Sequence, residues 1–406
     1  MIVVTGATGT VGRQVVMQLS ERGVPVRAVT RDPGSAGLPA TVEVVRGDLA
    51  DPASLEPHLA GADSVFLVWP FTSPEWAAGQ GSRVVQVLAR HVPRIVYLSA
   101  QAAASRPDSF WATIERLIEQ SGAAWTFLRP TGFATNTLMW EDQIRSRGVV
   151  RWPYGAAVRS LIHERDIAAV AAAALTDSRH AGHKYLLTGP EAITQAGQAR
   201  LIGEVIGRPV HWEELAPEQA RQQLLTAWGD PAFADSALAT WARLVTEPEP
   251  VTQTVEQVTG VPARTFRQWA EDHIDDFRPP SVTEIADRYV SAFRAGDLDA
   301  ALRELSPGVV RVAPLETPEG AGELRGVQEI MESSGRLNAS YQIHAVDIGD
   351  PLVRGDQFAV RFAFDQSHHV TGKRETVVKI SLYTVADAAI VREEVYYHTP
   401  PHTPER

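Results

Sequence analysis

The first twelve residues, MIVVTGATGTVG, constrain this chain more than any other stretch. Ile2, Val3 and Val4 make the short apolar run of a fully buried parallel strand, Gly6, Gly9 and Gly12 are spaced as GxxGxxG, and Val15, Val16 and Leu19 recur at helical spacing over residues 13–22. Strand, glycine turn and helix in that order form the setting in which such a turn binds a dinucleotide. Gly6 permits the tight turn, Gly9 lets backbone N–H groups approach a diphosphate at the positive helix end, and Gly12 lets the helix pack on the strand. Thr8, Thr10 and Val11 stand between the glycines and are expected cofactor contacts with them.

At 406 residues the chain exceeds the size at which one core stops growing, so two domains are expected. No apolar run approaches 18 residues and the N-terminus enters a strand directly, so a soluble, cytoplasmic protein without a signal peptide is expected. Cysteine is absent, which excludes disulfides, thiol nucleophiles and thiolate metal sites. His180 and His183 have no evident third ligand, so no metal is expected. A net charge of −11 argues against nucleic acid and anionic membrane as partners; a small molecule is expected, with a homodimer left open. Lysine occurs only at 184, 373 and 379, a bias that reads as that of a GC-rich genome rather than of a mechanism.

Residues 24–30 read as a second strand. About 20 positions beyond the glycines, where a carboxylate favours NAD and an arginine accommodates a 2′-phosphate, stands Arg31, which favours NADPH; Asp32 would reverse the reading if the register shifted by one, but Pro33 makes it a turn residue. Strands over 42–45, 64–69 and 94–100 follow, and their carboxyl ends bring Asp48, Leu49, Trp69 and Ser99 towards the cofactor. Asp48 reads equally well as an acceptor from adenine or as a turn cap. A helix over 80–91 precedes the strand that ends in Ser99.

TGATGTVG at 5–12, VTRDP at 29–33, GDL at 47–49, VYLSA at 96–100, SGAAWTFLRPTGFATN at 121–136, LIHERDIAAVAAAAL at 161–175 and YLLTGPEAIT at 185–194 resemble the NmrA-like group of atypical short-chain dehydrogenases/reductases over residues 1–278. The resemblance implies an α/β Rossmann-like doubly wound parallel sheet. It also implies Arg129 and Pro130 beside the cofactor, with residues 133–136 beside cofactor and substrate. The group includes NADPH-dependent quinone and azo-compound reductases and proteins that only sense nucleotide. This chain departs from the short-chain pattern in one respect. None of its eight tyrosines has a lysine four residues later; Trp111 and Glu115 occupy that place. A quinone or conjugated carbonyl yields a phenolate or enolate that needs no such acid, so its absence favours those substrates or no turnover. Ser99, Asn136 and Tyr154, with Thr131, are the hydrogen-bond donors expected near the nicotinamide.

Residues 137–278 hold Trp140, Trp152, Trp212, Trp228 and Trp241, an inventory that suits both a core and a pocket for a flat ligand. Residues 279–281 read as a stiff linker. Beyond it come an amphipathic helix over 282–295, a second helix over 297–305, and long strands from Tyr341 onward. AFRAGDLDAAL at 292–302, HHVTGKRETVVKISLYTV at 368–385 and AIVREEVYYH at 389–398 resemble SnoaL-like members of the nuclear-transport-factor-2 (NTF2-like) superfamily over 282–399, so residues 282–406 are expected to form an α+β cone. Such cones host cyclases, isomerases and dehydratases as well as binding modules. Asp365 and Glu393 are the expected acid–base groups here; His368, His369, Tyr383 and Tyr397 are further polar side chains. Glu393 adjoins Glu394, and on a strand only one of the two can face a cavity. The two resemblances together imply a bifunctional NADPH-dependent reductase and cyclase or dehydratase acting on an aromatic, polyketide-like intermediate. The other reading is an NADP-sensing regulator whose C-terminal domain serves interaction or dimerisation.

Overall fold

The computed structural model describes residues 1–317 and 320–399; the tail 400–406, counted above with the cone, lies outside them. The chain divides into two compact units, Met1–Trp140 with Val150–Asp276 and Glu141–Val149 with Phe277–Arg406.

In the first unit seven strands form one parallel sheet: β1 (Ile2–Val4), β2 (Val26–Thr30), β3 (Glu43–Arg46), β4 (Ser64–Val68), β5 (Arg94–Leu98), β6 (Ala124–Pro130) and β7 (His183–Leu187), in spatial order 3-2-1-4-5-6-7. This is the doubly wound order, with the switch point between β1 and β4. β1 is apolar throughout because both its faces are covered. Ile2 and Val4 enter the core beneath α1 (Thr10–Glu21) and the alanine-rich α4 (Glu164–Thr176), while Val3 enters the core beneath α2 (Pro74–His91) and α3 (Phe110–Gln120). Burying each such valine contributes about 1.5–3 kcal/mol.

Helix α2 starts six residues earlier than its periodicity predicts. Ser73 accepts from the Trp76 N–H, Pro74 opens the first turn, and Gly81, which interrupts the apolar pattern, lets α2 approach α3, since a Cβ there would lie 2.4 Å from Ile114 Cδ1. Three further helices, α5 (Gln195–Ile206), α6 (Pro217–Trp228) and α7 (Pro231–Arg243), build the variable part of this unit.

The C-terminal unit opens with α8 (Val282–Ala295). Ser281 and Glu284 close a capping box, Gly296 ends the helix at φ +72°, and Ile285, Tyr289 and Val290 form its buried stripe. After α9 (Leu298–Arg303) come β8 (Leu305–Thr317), β9 (Gly320–Arg325), α10 (Val327–Ala339), β10 (Tyr341–Ile348), β11 (Leu352–Arg354), β12 (Gln357–His368), β13 (Arg374–Ala386) and β14 (Ala389–Thr399). The sheet runs β9-β8-β14-β13-β12-β10, with β11 also on β12, and β8 and β14 are its parallel pair. Strands β8 and β9 and helix α10 have no counterpart in the pattern read from sequence. Pro307, Gly308 and Pro314 break the alternation of β8, and Ser333, Ser334 and Gly335 weaken the helical signal of α10.

Candidate active sites

The glycine loop is held from beneath and open above. Thr5 Oγ1 donates to the Phe66 carbonyl (3.1 Å) and accepts from the Val68 N–H (3.0 Å), which ties the end of β1 to β4. Gly6 lies at φ +59°, and a Cβ on Gly12 would stand 2.1 Å from the Gly6 carbonyl oxygen, so both positions require glycine. Gly6, Thr8, Gly9 and Thr10 are exposed; Val11 is buried, leaving only its backbone to a ligand. Gly9 caps α1 without any side-chain hydrogen bond, so the first-turn N–H groups face outward unobstructed by a cap. These residues fit a dinucleotide diphosphate.

At the end of β2 the two rival residues separate. Asp32 accepts from the Gly34 N–H (3.1 Å) and the Ser35 hydroxyl (2.7 Å), hydrogen bonds that hold its carboxyl below its ordinary pKa in a local turn. The Arg31 side chain is exposed and makes no hydrogen bond or ion pair with the described residues. Arg13, one turn into α1, donates to the carbonyls of Ala36 (2.8 Å) and Gly37 (2.9 Å) and straps the loop that carries Arg31. Asp48 Oδ1 accepts from the Ala50 N–H at 2.9 Å as a turn cap, and Leu49 and Trp69 are buried in the sheet's second core.

The carboxyl ends of β5 and β6 meet on a carboxylate. Ser99 Oγ donates to Glu115 Oε1 (2.5 Å), and Arg129 grips the same carboxylate through Nε (2.9 Å) and Nη2 (2.5 Å). Glu115 is 3% exposed. The hydroxyl proton of Ser99 is therefore turned towards Glu115, the guanidinium of Arg129 is committed to it, and the group tightens the strand ends. Pro130 is buried, and its carbonyl accepts from the Gln101 N–H.

Beyond β6 the chain turns through residues 134–140 into a pocket of about 340 Å³, lined by Asn136, Trp140, Arg159, Gln198, Trp228 and Trp241 among others. Two of the tryptophans thus serve wall and core together: Trp140 packs edge-on against Trp152 and Trp212, and Trp241 contacts Trp152 and the half-buried Trp228. Arg159, which periodicity did not single out, pairs with buried Glu249 (3.3 Å); a Cβ on Gly132 would meet its guanidinium at 2.0 Å. Tyr154 is not part of this wall. Its backbone, at φ +59°, is held by Glu214, which accepts from the Tyr154 and Gly155 N–H groups. Thr131 donates to the Ser160 carbonyl (2.7 Å). His180 meets the Tyr185 hydroxyl and His183 its own loop carbonyl, and no group of three metal-binding side chains occurs among the described residues.

The cone encloses a cavity of about 400 Å³. Strand parity selects its lining. Val377, Lys379 and Tyr383 of β13 face inward with Glu393 and Tyr397 of β14, opposite Phe362, Phe364 and Gln366 of β12. Glu393 is 3% exposed and accepts from Arg311 Nε at 2.7 Å; burial raises its pKa, but Arg311 and Lys379 outweigh burial and leave it below its ordinary value. Glu394 points the other way, to Arg392 and the Tyr396 hydroxyl. Asp365 is not among the lining residues: on the outer side it pairs with Arg374, whose hydrogen bonds lower its pKa. His368 accepts from the N–H groups of Val370 and Thr371 in a turn, and His369 is exposed. Tyr383 is fully buried against Tyr289 and Phe358, and its pKa is raised by burial and then by Glu393. Arg311 and Lys379 escaped the reading of the sequence; their only signal was inward parity on strands, one of which had not been recognised.

Residues 1–271 match the model of the NmrA-like family. The chain belongs to that family. Residues 286–393 match the SnoaL-like domain. The NmrA-like part is 42% identical, over 69% of this chain and 100% of the relative, to the (4-alkanoyl-5-oxo-2,5-dihydrofuran-3-yl)methyl phosphate reductase of Streptomyces griseus subsp. griseus. It is 36% identical, over 68% of this chain and 99% of the relative, to the NAD(P)H azoreductase of Xenophilus azovorans. Among solved structures, an NADPH-dependent quinone oxidoreductase of Escherichia coli superposes on 67% of this chain and 99% of its own with a TM-score of 0.58 at 25% identity. All three of these proteins are named as reductases or oxidoreductases. No helix among the described residues is long and apolar enough to cross a membrane.

Proposed function

We propose that the chain is a bifunctional tailoring enzyme: its NmrA-like domain reduces a quinone or a carbonyl-conjugated alkene with NADPH, and its cone assists cyclisation, isomerisation or dehydration of the reduced product. The observation that carries the first half is the commitment of the protons at the ends of β5 and β6. Ser99 donates to Glu115, Arg129 closes the same carboxylate, and no tyrosine has a lysine four residues on. An ordinary ketone would leave an alkoxide in need of a general acid worth about 10²–10⁴-fold in rate. A quinone leaves a phenolate with a pKa of about 10, and an alkene flanked by two carbonyls leaves a delocalised enolate, so neither requires that acid.

NADPH supplies the hydride when bound. The loop Gly6, Thr8, Gly9, Thr10 and Gly12 would hold its diphosphate, and Arg31 its 2′-phosphate. The tryptophan-walled pocket beyond β6 would stack a flat acceptor and exclude water, with Asn136 available to orient a carbonyl oxygen. The name of the Streptomyces griseus relative's substrate describes a ring alkene bearing an alkanoyl group and a lactone carbonyl, which supports this acceptor class. In the cone, Glu393 is ionised at neutral pH and held by Arg311, so as a base it would serve only a substrate whose C–H is itself acidic, such as a 1,3-dicarbonyl. The division of labour would fall at the linker read at residues 279–281, just past the break between the compact units at Asp276.

Stopped-flow absorbance of the reduced nicotinamide tests the reading. Oxidation is expected with quinones and acylbutenolides and not with saturated ketones, and Ser99→Ala should stay within about fivefold of the parent; a loss of about a hundredfold or more would make Ser99 the acid and refute the argument. Silence with every acceptor would leave a nucleotide-responsive protein without turnover. Deletion of residues 281–406 should leave NADPH consumption intact while mass spectrometry finds a product that has been reduced only.

A further inference from the structure

The polar side chains around the tryptophan-walled pocket are unequally occupied. Thr137 donates to the Ala134 carbonyl (2.6 Å), Gln195 to the carbonyls of Pro153 (3.2 Å) and Tyr154 (3.0 Å), and Gln198 to that of Ile193 (3.3 Å). Arg159, the charged side chain among the described lining residues, is held more loosely. Its guanidinium makes one hydrogen bond, from Nη2 to Glu249 Oε1 at 3.3 Å, and the other oxygen of Glu249 accepts from the Ser160 N–H at 2.9 Å. A charge-assisted contact of this kind normally closes to about 2.7–2.9 Å, and between arginine and a carboxylate it is often bidentate. Arg129 grips Glu115 in that way, and Arg159 does not so grip Glu249. Nε of Arg159 is sealed from water without a partner, and Nη1 makes no hydrogen bond with the described residues yet is not sealed.

The place of this cation is built into the backbone. Gly132 lies two residues beyond β6, on the edge of the sheet where doubly wound folds bind their ligands. A Cβ there would stand 2.0 Å from Arg159 Nη2 and 2.8 Å from its Cζ. Gly132 is not among the glycines at positive φ, so the volume of the guanidinium, and not the turn, excludes a side chain. The cation thus stands at the ligand-binding edge beside a wall that includes Trp140, Leu161, Trp228 and Trp241. A fixed donor beside apolar walls gains most as negative charge grows on the atom it faces, because little water is present to screen it.

We infer that Arg159 meets the carbonyl oxygen of the acceptor and holds the negative charge that hydride transfer leaves there. The inference rests on the reading of this domain as a reductase and names the residue that stabilises the product anion. Hydride adds to the conjugated acceptor, and the displaced electron pair settles on the carbonyl oxygen against the N–H groups of Arg159. The products are the oxidised nicotinamide and a phenolate or enolate, which takes its proton from water after release. Arg159 stays protonated throughout.

Quenching of tryptophan fluorescence tests the assignment in the full chain without NADPH, using 2-hydroxy-1,4-naphthoquinone, an enolate at neutral pH, and the neutral 2-methyl-1,4-naphthoquinone. All ten tryptophans lie in the first unit, so the signal reports that unit. The anion should bind at least about tenfold more tightly than the neutral quinone. Glu249→Gln should keep or raise that preference, since it removes the competing carboxylate. Arg159→Met combined with Glu249→Gln, which orphans no buried charge, should abolish it while changing the affinity of the neutral quinone by less than about threefold. With NADPH and the neutral quinone, the double variant should lose about 10²-fold in kcat with KM little changed. Equal affinity of the parent for both quinones, loss of the preference in Glu249→Gln, its survival in the double variant, or an undiminished kcat overturns the inference. A pair with a structural role alone would fail alike in both variants. A parent that prefers the anion but oxidises no NADPH refutes the reductase reading, and the hydride step with it, while the anion site at Arg159 stands.

Discussion

Replacing Arg311 with methionine leaves Glu393 ionised in a site that is 3% exposed, without the guanidinium that faces it at 2.7 Å. Removing one partner of a buried pair costs about 3–5 kcal/mol. The lower end, about 3 kcal/mol, is expected here, because Lys379 still offsets part of the carboxylate charge and methionine refills most of the volume. With a urea dependence of about 2 kcal/mol per molar, the unfolding midpoint of the cone should fall by about 1.5 M. All ten tryptophans lie between residues 69 and 269, so their fluorescence follows the first unit while far-UV circular dichroism follows both. The variant should shift the circular-dichroism transition and leave the fluorescence transition in place. The pH dependence has a definite sign. Glu393 in the parent has a lowered pKa, so its pair contributes above the unfolded carboxylate value of about 4.3 and is lost as pH falls through the folded value. The deficit of Arg311→Met should therefore be full at neutral pH and shrink in acid as Glu393 takes up a proton. Adding Glu393→Gln should recover most of the loss. A single variant that loses less than about 1 kcal/mol, or a double variant as unstable as the single one, would refute the reasoning.

Arg31→Asp should weaken NADPH binding by at least about tenfold and NADH binding by less than about threefold in fluorescence titration, since it replaces a cation at the 2′-phosphate with an anion; equal losses would remove that role. Gly12→Ala should abolish binding of both nucleotides, because its Cβ would stand 2.1 Å from a backbone oxygen that no rotamer can move; normal affinity would contradict the geometry of the loop. At the end of the first unit, burial lowers the His273 pKa but the hydrogen bonds its ring N–H groups donate to Glu164 and Asp276 outweigh burial and raise it, while Glu164 is held well below its ordinary value by His163 and His273 against its own burial. The Glu164–His273 pair thus stabilises most between about pH 4.5, above which Glu164 is ionised in the unfolded chain, and about pH 6.5, the unfolded histidine value, and its contribution is lost as pH rises from there through the raised folded value of His273. Glu164→Gln should lower the His273 pKa in an NMR titration of its ring protons, and an unchanged value would show that Asp276 alone sets it.

The parts of this protein encoded by local pattern were legible in its sequence. The GxxGxxG turn, the buried strands around it and the capped helix at 282–295 each depend on neighbours a few residues away. Parity could state that one of Glu393 and Glu394 faces inward, but the choice needed the pairing of β13 with β14. What stayed hidden depends on distant partners. Arg311 meets Glu393 across 82 residues, on a strand whose alternation is broken by Pro307, Gly308 and Pro314. Ser99, Glu115 and Arg129 were all noticed singly, yet only the adjacency of β5, β6 and α3 makes them one hydrogen-bonded group. Lys379 looked like a residue of base composition because rarity says nothing about where a side chain points.

The strap from Arg13 to the carbonyls of Ala36 and Gly37 acts on backbone atoms alone and Asp32 closes its own turn, so the path of the 31–37 loop is held without any contact from the Arg31 side chain. A position whose side chain the loop does not use is a natural point of evolutionary drift. If Arg31 meets the 2′-phosphate, cofactor choice in descendants of this chain would change through codon 31 without disturbing the Asp32 turn or the glycine turn, and a laboratory wishing to run the reductase on the cheaper nucleotide would begin its library there.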